Sequence, residues 1–139
     1  GTKRAKAYAR MLNAVIAICH KERTKANVVD SMQIIGDVQG KNVIIVDDMI
    51  DTAGTITMAA NLCMDNGATT VRALSTHAVC SGPAFDRIEK SAIQELLVTD
   101  TIPHDSMPSK ITVLSCAQYF ANSIKKIFKN ESMSSAFLV

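Results

Sequence analysis

The sequence predicts an α/β domain whose mostly parallel sheet is flanked by helices. Short β-favouring runs, at Asn42–Val46, Thr70–Leu74, Leu96–Thr99 and Ile111–Leu114, are interleaved with stretches of helical period. The run at Asn42–Val46 is almost wholly apolar and β-branched, as in strands buried on both faces of a parallel sheet. The connections between runs are short and carry Gly, Pro or Asn. With 139 residues, 47% of them hydrophobic, residues 1–139 suffice for a single domain with its own core.

Taken in order, Lys3 to Leu12 is rich in good helix formers, and Asn13 can end that helix before the β-favouring run Val15–Ile18. His20 to Asp30 has neither period and carries Lys21, Arg23 and Lys25, which suggests a mobile basic loop. Met32–Ile35 reads as a short strand closed by Gly36-Asp37. The strand Asn42–Val46 leads into a helix from about Thr55 to Asn66, with Ile56, Ala59, Ala60 and Cys63 on one face. Gly67 stands where a left-handed helix-ending residue is wanted. Ser81-Gly82-Pro83 is a turn that starts a helix over Ala84–Lys90. The last helix is expected after a capping box of Ser115 and Gln118, with an apolar face of Ala117, Phe120, Ala121, Ile124, Ile127 and Phe128.

Composition narrows the function classes. Fifteen Lys plus Arg against thirteen Asp plus Glu leave a net charge of +2, too little for a chain whose main partner is a nucleic acid. No run reaches the roughly 18 apolar residues of a membrane span, and no leader is apparent, so no membrane partner is expected. The four cysteines form no C-x-x-C pair and no zinc spacing, which favours a reduced, cytoplasmic setting. His20, His77 and His104 lack a second ligand at metal spacing and read as structural or solvent-facing, and no metal ligand is assigned in this chain.

The chemistry concentrates in V-D-D-M-I-D-T-A-G-T, Val46 to Thr55. Asp51, Thr52, Ala53, Gly54 and Thr55 join a strand to a helix with small residues and hydroxyls, so that backbone N–H groups can approach an anion. The helix start adds about 0.3 to 1 kcal/mol per exposed anionic group. The plain alternative is an ordinary turn in which Asp51 is the N-cap. Asp47 and Asp48 are adjacent carboxylates that repel unless hydroxyls or cations meet them. A sugar diol or hydrated Mg²⁺ would do so, and phosphate donors beside diol acceptors suit a phosphorylated pentose. Neither G-x-G-x-x-G nor G-x-x-x-x-G-K-[ST] is present, so dinucleotide and Walker-type cradles are excluded.

This stretch resembles the phosphoribosyl-pyrophosphate motif of the type I phosphoribosyltransferase fold, in the form found in ribose-phosphate pyrophosphokinases. The resemblance continues through His20-Lys21-Glu22-Arg23, Ile35-Gly36-Asp37-Val38, Asn66-Gly67-Ala68-Thr69, Thr76-His77, Ser81-Gly82-Pro83-Ala84 and Thr99-Asp100-Thr101-Ile102-Pro103, in order along nearly the whole chain. It implies that Asp51 to Thr55 bind the 5-phosphate of ribose 5-phosphate, that Asp47 and Asp48 hold ribose hydroxyls, and that Lys21 and Arg23 are catalytic on a flexible loop. It also implies transfer of the β,γ-diphosphoryl group of ATP, with Mg²⁺, to the C1 hydroxyl, and a regulatory contact at Ser81.

Members of that family carry two related domains and assemble as dimers that build a hexamer. The present chain resembles the second domain, with the first, which supplies most Mg²⁺ ligands, absent and the piece alone expected to be inactive. Two rival readings share the motif: a nucleobase phosphoribosyltransferase, and a non-catalytic synthetase-associated subunit. The first should carry a base-stacking insert, and Tyr8, Tyr119 and the four Phe instead fall mostly at helical core spacing. The second tends to lose the loop or the phosphate motif, and both are intact in this sequence.

Overall fold

A computed structural model describes residues 2–22 and 31–134. Helix α1 (Thr2–Leu12) precedes strands β1 (Ile18–Glu22), β2 (Ser31–Ile35) and β3 (Asn42–Ile50). Helix α2 (Gly54–Asp65), β4 (Thr70–Ala78), α3 (Ala84–Lys90), β5 (Glu95–Thr99), β6 (Ile111–Leu114) and α4 (Ala117–Phe128) follow. Strands β3 to β6 form a parallel sheet in chain order, and β1 and β2 pair antiparallel as a separate hairpin.

The core lies between one face of the sheet and helices α2 and α3. Along β4, Val71, Ala73 and Ser75 are buried, while Arg72 and Thr76 are exposed. Alternation of this kind places every second side chain on the helix-covered face. Leu96 and Val98 on β5 and Ile111 on β6 continue that face against Ile56, Ala60 and Cys63 of α2 and Ala84 and Ile88 of α3. Each large aliphatic side chain so buried is worth about 1.5–3 kcal/mol.

Several sequence expectations shift. Asn42–Val46 alternates in burial, and Ile44 is 47% exposed, so this strand is not buried on both faces. It also runs four residues further, because its parallel ladder with β4 continues through Asp47↔Ser75 to Ile50↔Ala78. The acidic pair thus lies within the strand. Val15 to Ala17 are exposed and outside any strand, since pairing begins at Ile18↔Ile35 and runs to Glu22↔Ser31. That hairpin takes in His20 and Lys21, the first part of the expected loop, while Arg23 and Lys25 lie outside the described residues.

The capping box does not form. Ser115 Oγ donates to Asp100 Oδ2 at 2.6 Å, Asp100 Oδ1 accepts the Cys116 N–H at 2.8 Å, and Gln118 Nε2 donates to Asn122 Oδ1. A carboxylate from another loop takes the Cys116 N–H, and Ser115 Oγ accepts the Ala117 N–H at 3.2 Å, so the helix start is held by both without Gln118. The expected apolar face of α4 is also uncovered: Phe120, Ile124, Ile127 and Phe128 are 53%, 64%, 64% and 88% exposed, and Tyr119 is 50% exposed. The core is therefore aliphatic, with Phe85 the aromatic side chain packed against it. Gly67, at φ 84°, does end α2 in the left-handed conformation.

Leu96 is 0% exposed, so Leu96→Ala is expected to lose about 2–5 kcal/mol, read as a lower urea midpoint at unchanged slope. Ile44→Ala, on the other face, should lose clearly less. Equal losses would refute the one-sided core.

Candidate functional site

The carboxyl end of β3 and the start of α2 form the site. After Ile50 the chain crosses Asp51 and Thr52 and turns at Ala53, whose φ of 59° and ψ of 4° are left-handed. A non-glycine residue there costs on the order of 1–2 kcal/mol. Ala53 is held in place because it is 4% exposed and because its carbonyl accepts both the Thr57 N–H at 3.1 Å and the Thr57 hydroxyl at 2.8 Å.

This geometry rejects the plain reading of Asp51 as an N-cap. Ala53 occupies the cap position, no side chain caps the helix, and the first turn carries no acidic residue. The first N–H groups of α2 thus face outward with the positive end of the helix dipole, an arrangement suited to an anion. Lys21 Nζ donates to Thr55 Oγ1 at 3.1 Å, bringing a cation from the hairpin to the cup. Arg87 of α3 donates from Nη1 to the Thr52 carbonyl at 2.9 Å. Lys21, Asp51, Thr52, Gly54, Thr55 and Arg87 line one open cleft.

Side chains alternate along a strand, and this separates the two aspartates. Asp47 falls on the face of Val43 and Ile45 and lines a second cavity with Lys21, Thr55 and Cys63. Asp48 is exposed and pairs with Arg4 of α1 at 3.4 Å. Strand β3 lies at one end of the described four-stranded sheet, and its aspartates accept backbone N–H groups of their own strand. Asp47 Oδ1 accepts the Asp48 N–H at 2.9 Å, and Asp48 Oδ1 accepts the Met49 N–H at 3.1 Å. Burial pushes the Asp47 carboxyl up, and the hydrogen bond from Asp47 holds Asp48 down.

Ser81 is exposed and its N–H donates to the Asp51 carbonyl at 3.0 Å, so the turn before α3 braces the cup. His77 Nδ1 is 2.8 Å from Thr101 Oγ1, and His104 Nε2 donates to the Ala78 carbonyl at 2.6 Å, both of them structural contacts. Arg23 lies outside the described residues. Arg4 and Arg87 had no signal in the sequence: each comes from a distant element and meets the site only through the fold. Among the described residues no group of three or more His, Cys, Asp or Glu is arranged to hold a metal ion, and no helix is long and apolar enough to cross a membrane.

Fold and site together define an α/β domain with an anion-competent strand-to-helix loop at the carboxyl edge of a parallel sheet. The chain belongs to the phosphoribosyl synthetase-associated domain family, whose model matches residues 24–138. It is 48% identical over 137 residues to a ribose-phosphate pyrophosphokinase of Porphyromonas gingivalis, covering 99% of this chain and 44% of that protein. A ribose-phosphate pyrophosphokinase of Wolinella succinogenes is 51% identical over 138 residues, with 99% and 45% covered. The structure of phosphoribosylpyrophosphate synthetase from Mycobacterium smegmatis superposes with a TM-score of 0.83 at 40% identity, covering 92% of this chain and 42% of that one. The chain spans less than half the length of these relatives.

The split between the aspartates has a pH signature. The folded state disfavours ionised Asp47, so its charge costs stability at neutral pH, and the cost disappears below the ordinary carboxylate range near about 4. Asp47→Asn should raise the thermal midpoint at pH 7, with the gain shrinking as the pH falls. Asp48 has the opposite sign: its contribution is present above its unfolded pKa and is lost as the pH falls through the lowered folded value. A gain for Asp47→Asn that does not change with pH would refute the burial argument.

Proposed function

We propose that this chain is the ribose 5-phosphate-binding part of a ribose-phosphate pyrophosphokinase. The observation that carries the reading is the uncapped start of α2, with Lys21 resting on Thr55 and half-buried Asp47 on the same side. The 5-phosphate is received by the Asp51, Thr52, Ala53, Gly54 and Thr55 loop, and Asp47 accepts from ribose hydroxyls. Asp48 reaches the sugar only by leaving Arg4. The C1 hydroxyl oxygen bonds to the β-phosphorus of ATP, the bridge to the α-phosphate breaks, and AMP leaves. Lys21, with Arg23, supplies positive charge where the transferred oxygens gather it.

The names of the relatives support ATP and ribose 5-phosphate as substrates. Mg²⁺ would enter with the nucleotide. Asp48 is already paired with Arg4, and among the described residues no third carboxylate, imidazole or thiol joins the aspartate pair, a donor set that does not fit a resident ion. Its ligands therefore lie largely in a further domain, of which this chain would be the second and carboxyl-terminal partner. Ser81 is kept as a regulatory contact. The uncovered apolar face of α4 supports a homo-oligomer, of the dimer-to-hexamer kind the resemblance implies, because soluble chains rarely leave such a face open. Four free thiols suit a cytoplasmic setting.

Calorimetry with ribose 5-phosphate tests the cup. Thr55→Val, which removes one hydroxyl donor, is expected to weaken binding about tenfold, or about 1.4 kcal/mol. Unchanged affinity would sink the assignment. In the full-length protein, Lys21→Ala should lower turnover by about 10²-fold with little change in KM for the sugar phosphate. Near-normal turnover would remove Lys21 from the reaction.

A further inference from the structure

The N–H groups of Thr52 to Ile56 take no protein partner among the described residues, while the carbonyls just before them are held from the segment 80–87. Cys80 N–H donates to the Ile50 carbonyl at 2.9 Å, Ser81 N–H to the Asp51 carbonyl at 3.0 Å, and Arg87 Nη1 to the Thr52 carbonyl at 2.9 Å. Of these three donors only Arg87 is a side chain, and only Arg87 brings a charge. A trans peptide is planar, with its N–H opposite its carbonyl, so the bond to Thr52 turns the Ala53 N–H away from the guanidinium and fixes its direction.

Arg87 also borders the open space of the loop. A side-chain carbon added at Gly54 would stand 3.4 Å from Arg87 Nη1, so the guanidinium edges the gap that the glycine leaves. The charged side chains of this cleft are Lys21 from the hairpin, Asp51 from the loop, Asp65 from the far end of α2, and Arg87. Two cations thus match two carboxylates. Without Arg87 the carboxylates would be in excess, and the cleft would oppose an anion. Lys90, the next basic residue of α3, does not line the cleft.

We propose that Arg87 is a specificity-determining residue, through which the 51–55 loop takes a phosphomonoester dianion in preference to a singly charged ester. The inference rests on the phosphate reading of that loop and deepens it. Arg87 is a positioning residue: it acts through the Thr52–Ala53 peptide, whose dipole its charge reinforces, and through the charge balance of the cleft. Lys21 meets Thr55 from the hairpin at 3.1 Å, so the loop stands between two cations from different elements. A sugar phosphate carries its second negative charge above a pH of about 6, and that second charge is what a second cation stabilises.

The test is calorimetry on the full-length protein at about pH 7.5, comparing ribose 5-phosphate with ribose 5-sulfate, an ester of the same shape that carries one charge. The native protein should bind the phosphate more tightly. Arg87→Gln keeps a donor for the Thr52 carbonyl but not the charge, and is expected to narrow that preference about tenfold. Arg87→Lys should keep most of the preference, and Lys90→Gln, a control for overall charge, should leave it unchanged. Arg87 is exposed, so these changes do not open the core. If Arg87→Gln weakens both esters by the same factor, Arg87 is only a structural brace and the proposal is overturned. A preference that Arg87→Gln leaves intact would overturn it equally, with the phosphate reading of the loop still standing. Failure of the native protein to bind either ester would instead remove that reading, and this inference with it.

Discussion

At Ala53 the backbone takes a left-handed turn, with φ 59° and the methyl group 4% exposed, and there the chain passes from the end of β3 into the first turn of α2. The turn aims the helix start outward and leaves its N–H groups without a side-chain cap. Strain of this kind persists only where the surroundings over-determine it. The surroundings are specific: Thr57 grips the Ala53 carbonyl from one turn along the helix, Arg87 holds the Thr52 carbonyl from α3, and Ser81 holds the Asp51 carbonyl from the turn after β4. One donor from the same helix and two from the turn and helix after β4 therefore converge on three consecutive carbonyls. The carbonyls are occupied by protein donors, and the N–H groups are left for a ligand.

The hairpin completes the site from the other side. Lys21 belongs to β1, which among the described residues pairs with β2 alone, so its placement at Thr55 depends on how the hairpin sits against α2 and β3. Asp47 and Cys19 share the cavity below that contact. Asp48, one residue along, faces the other way and is matched by Arg4. The adjacent carboxyls still act on each other, Asp47 pushed up and Asp48 held down, while Asp48 gains Arg4 as a partner.

The sequence made the order and type of nearly every element readable, because apolar runs and their periods report directly on strands and helices. Gly67 and the limits of α3 and β6 followed from local chemistry. What escaped depended on partners far along the chain. The shift of β1 to Ile18–Glu22 is set by register with β2, which propensity at Val15–Ile18 does not encode. At α4 Ser115 does accept the Ala117 N–H, but Asp100 takes the Cys116 N–H and Gln118 turns to Asn122, so only half of the expected box is present. The apolar stripe of α4 was visible, but a stripe says only that a helix wants cover, and no described element supplies it. The strand-to-helix passage at 51–55 was legible from its small residues and hydroxyls; Arg87 and Arg4, which meet it only through the fold, were not, since nothing near them in sequence marks them.

The parallel sheet has its strands in chain order, which bears on how the molecule comes together. Asn42 must meet Thr70, Arg72 must meet Glu95, and Leu96 must meet Ile111 before any of the three ladders exists. A parallel pair cannot be joined by a tight turn, so the entropy of closing each crossover is spent before the hydrogen bonds form. No strand has to be threaded between two already paired, and the sheet can grow at its edge. The first crossover runs through Ala53 and α2. The strand-to-helix loop at 51–55 is therefore also part of the segment whose closure the β3–β4 ladder waits for, and its backbone answers to the rate of folding as well as to any ligand it would take.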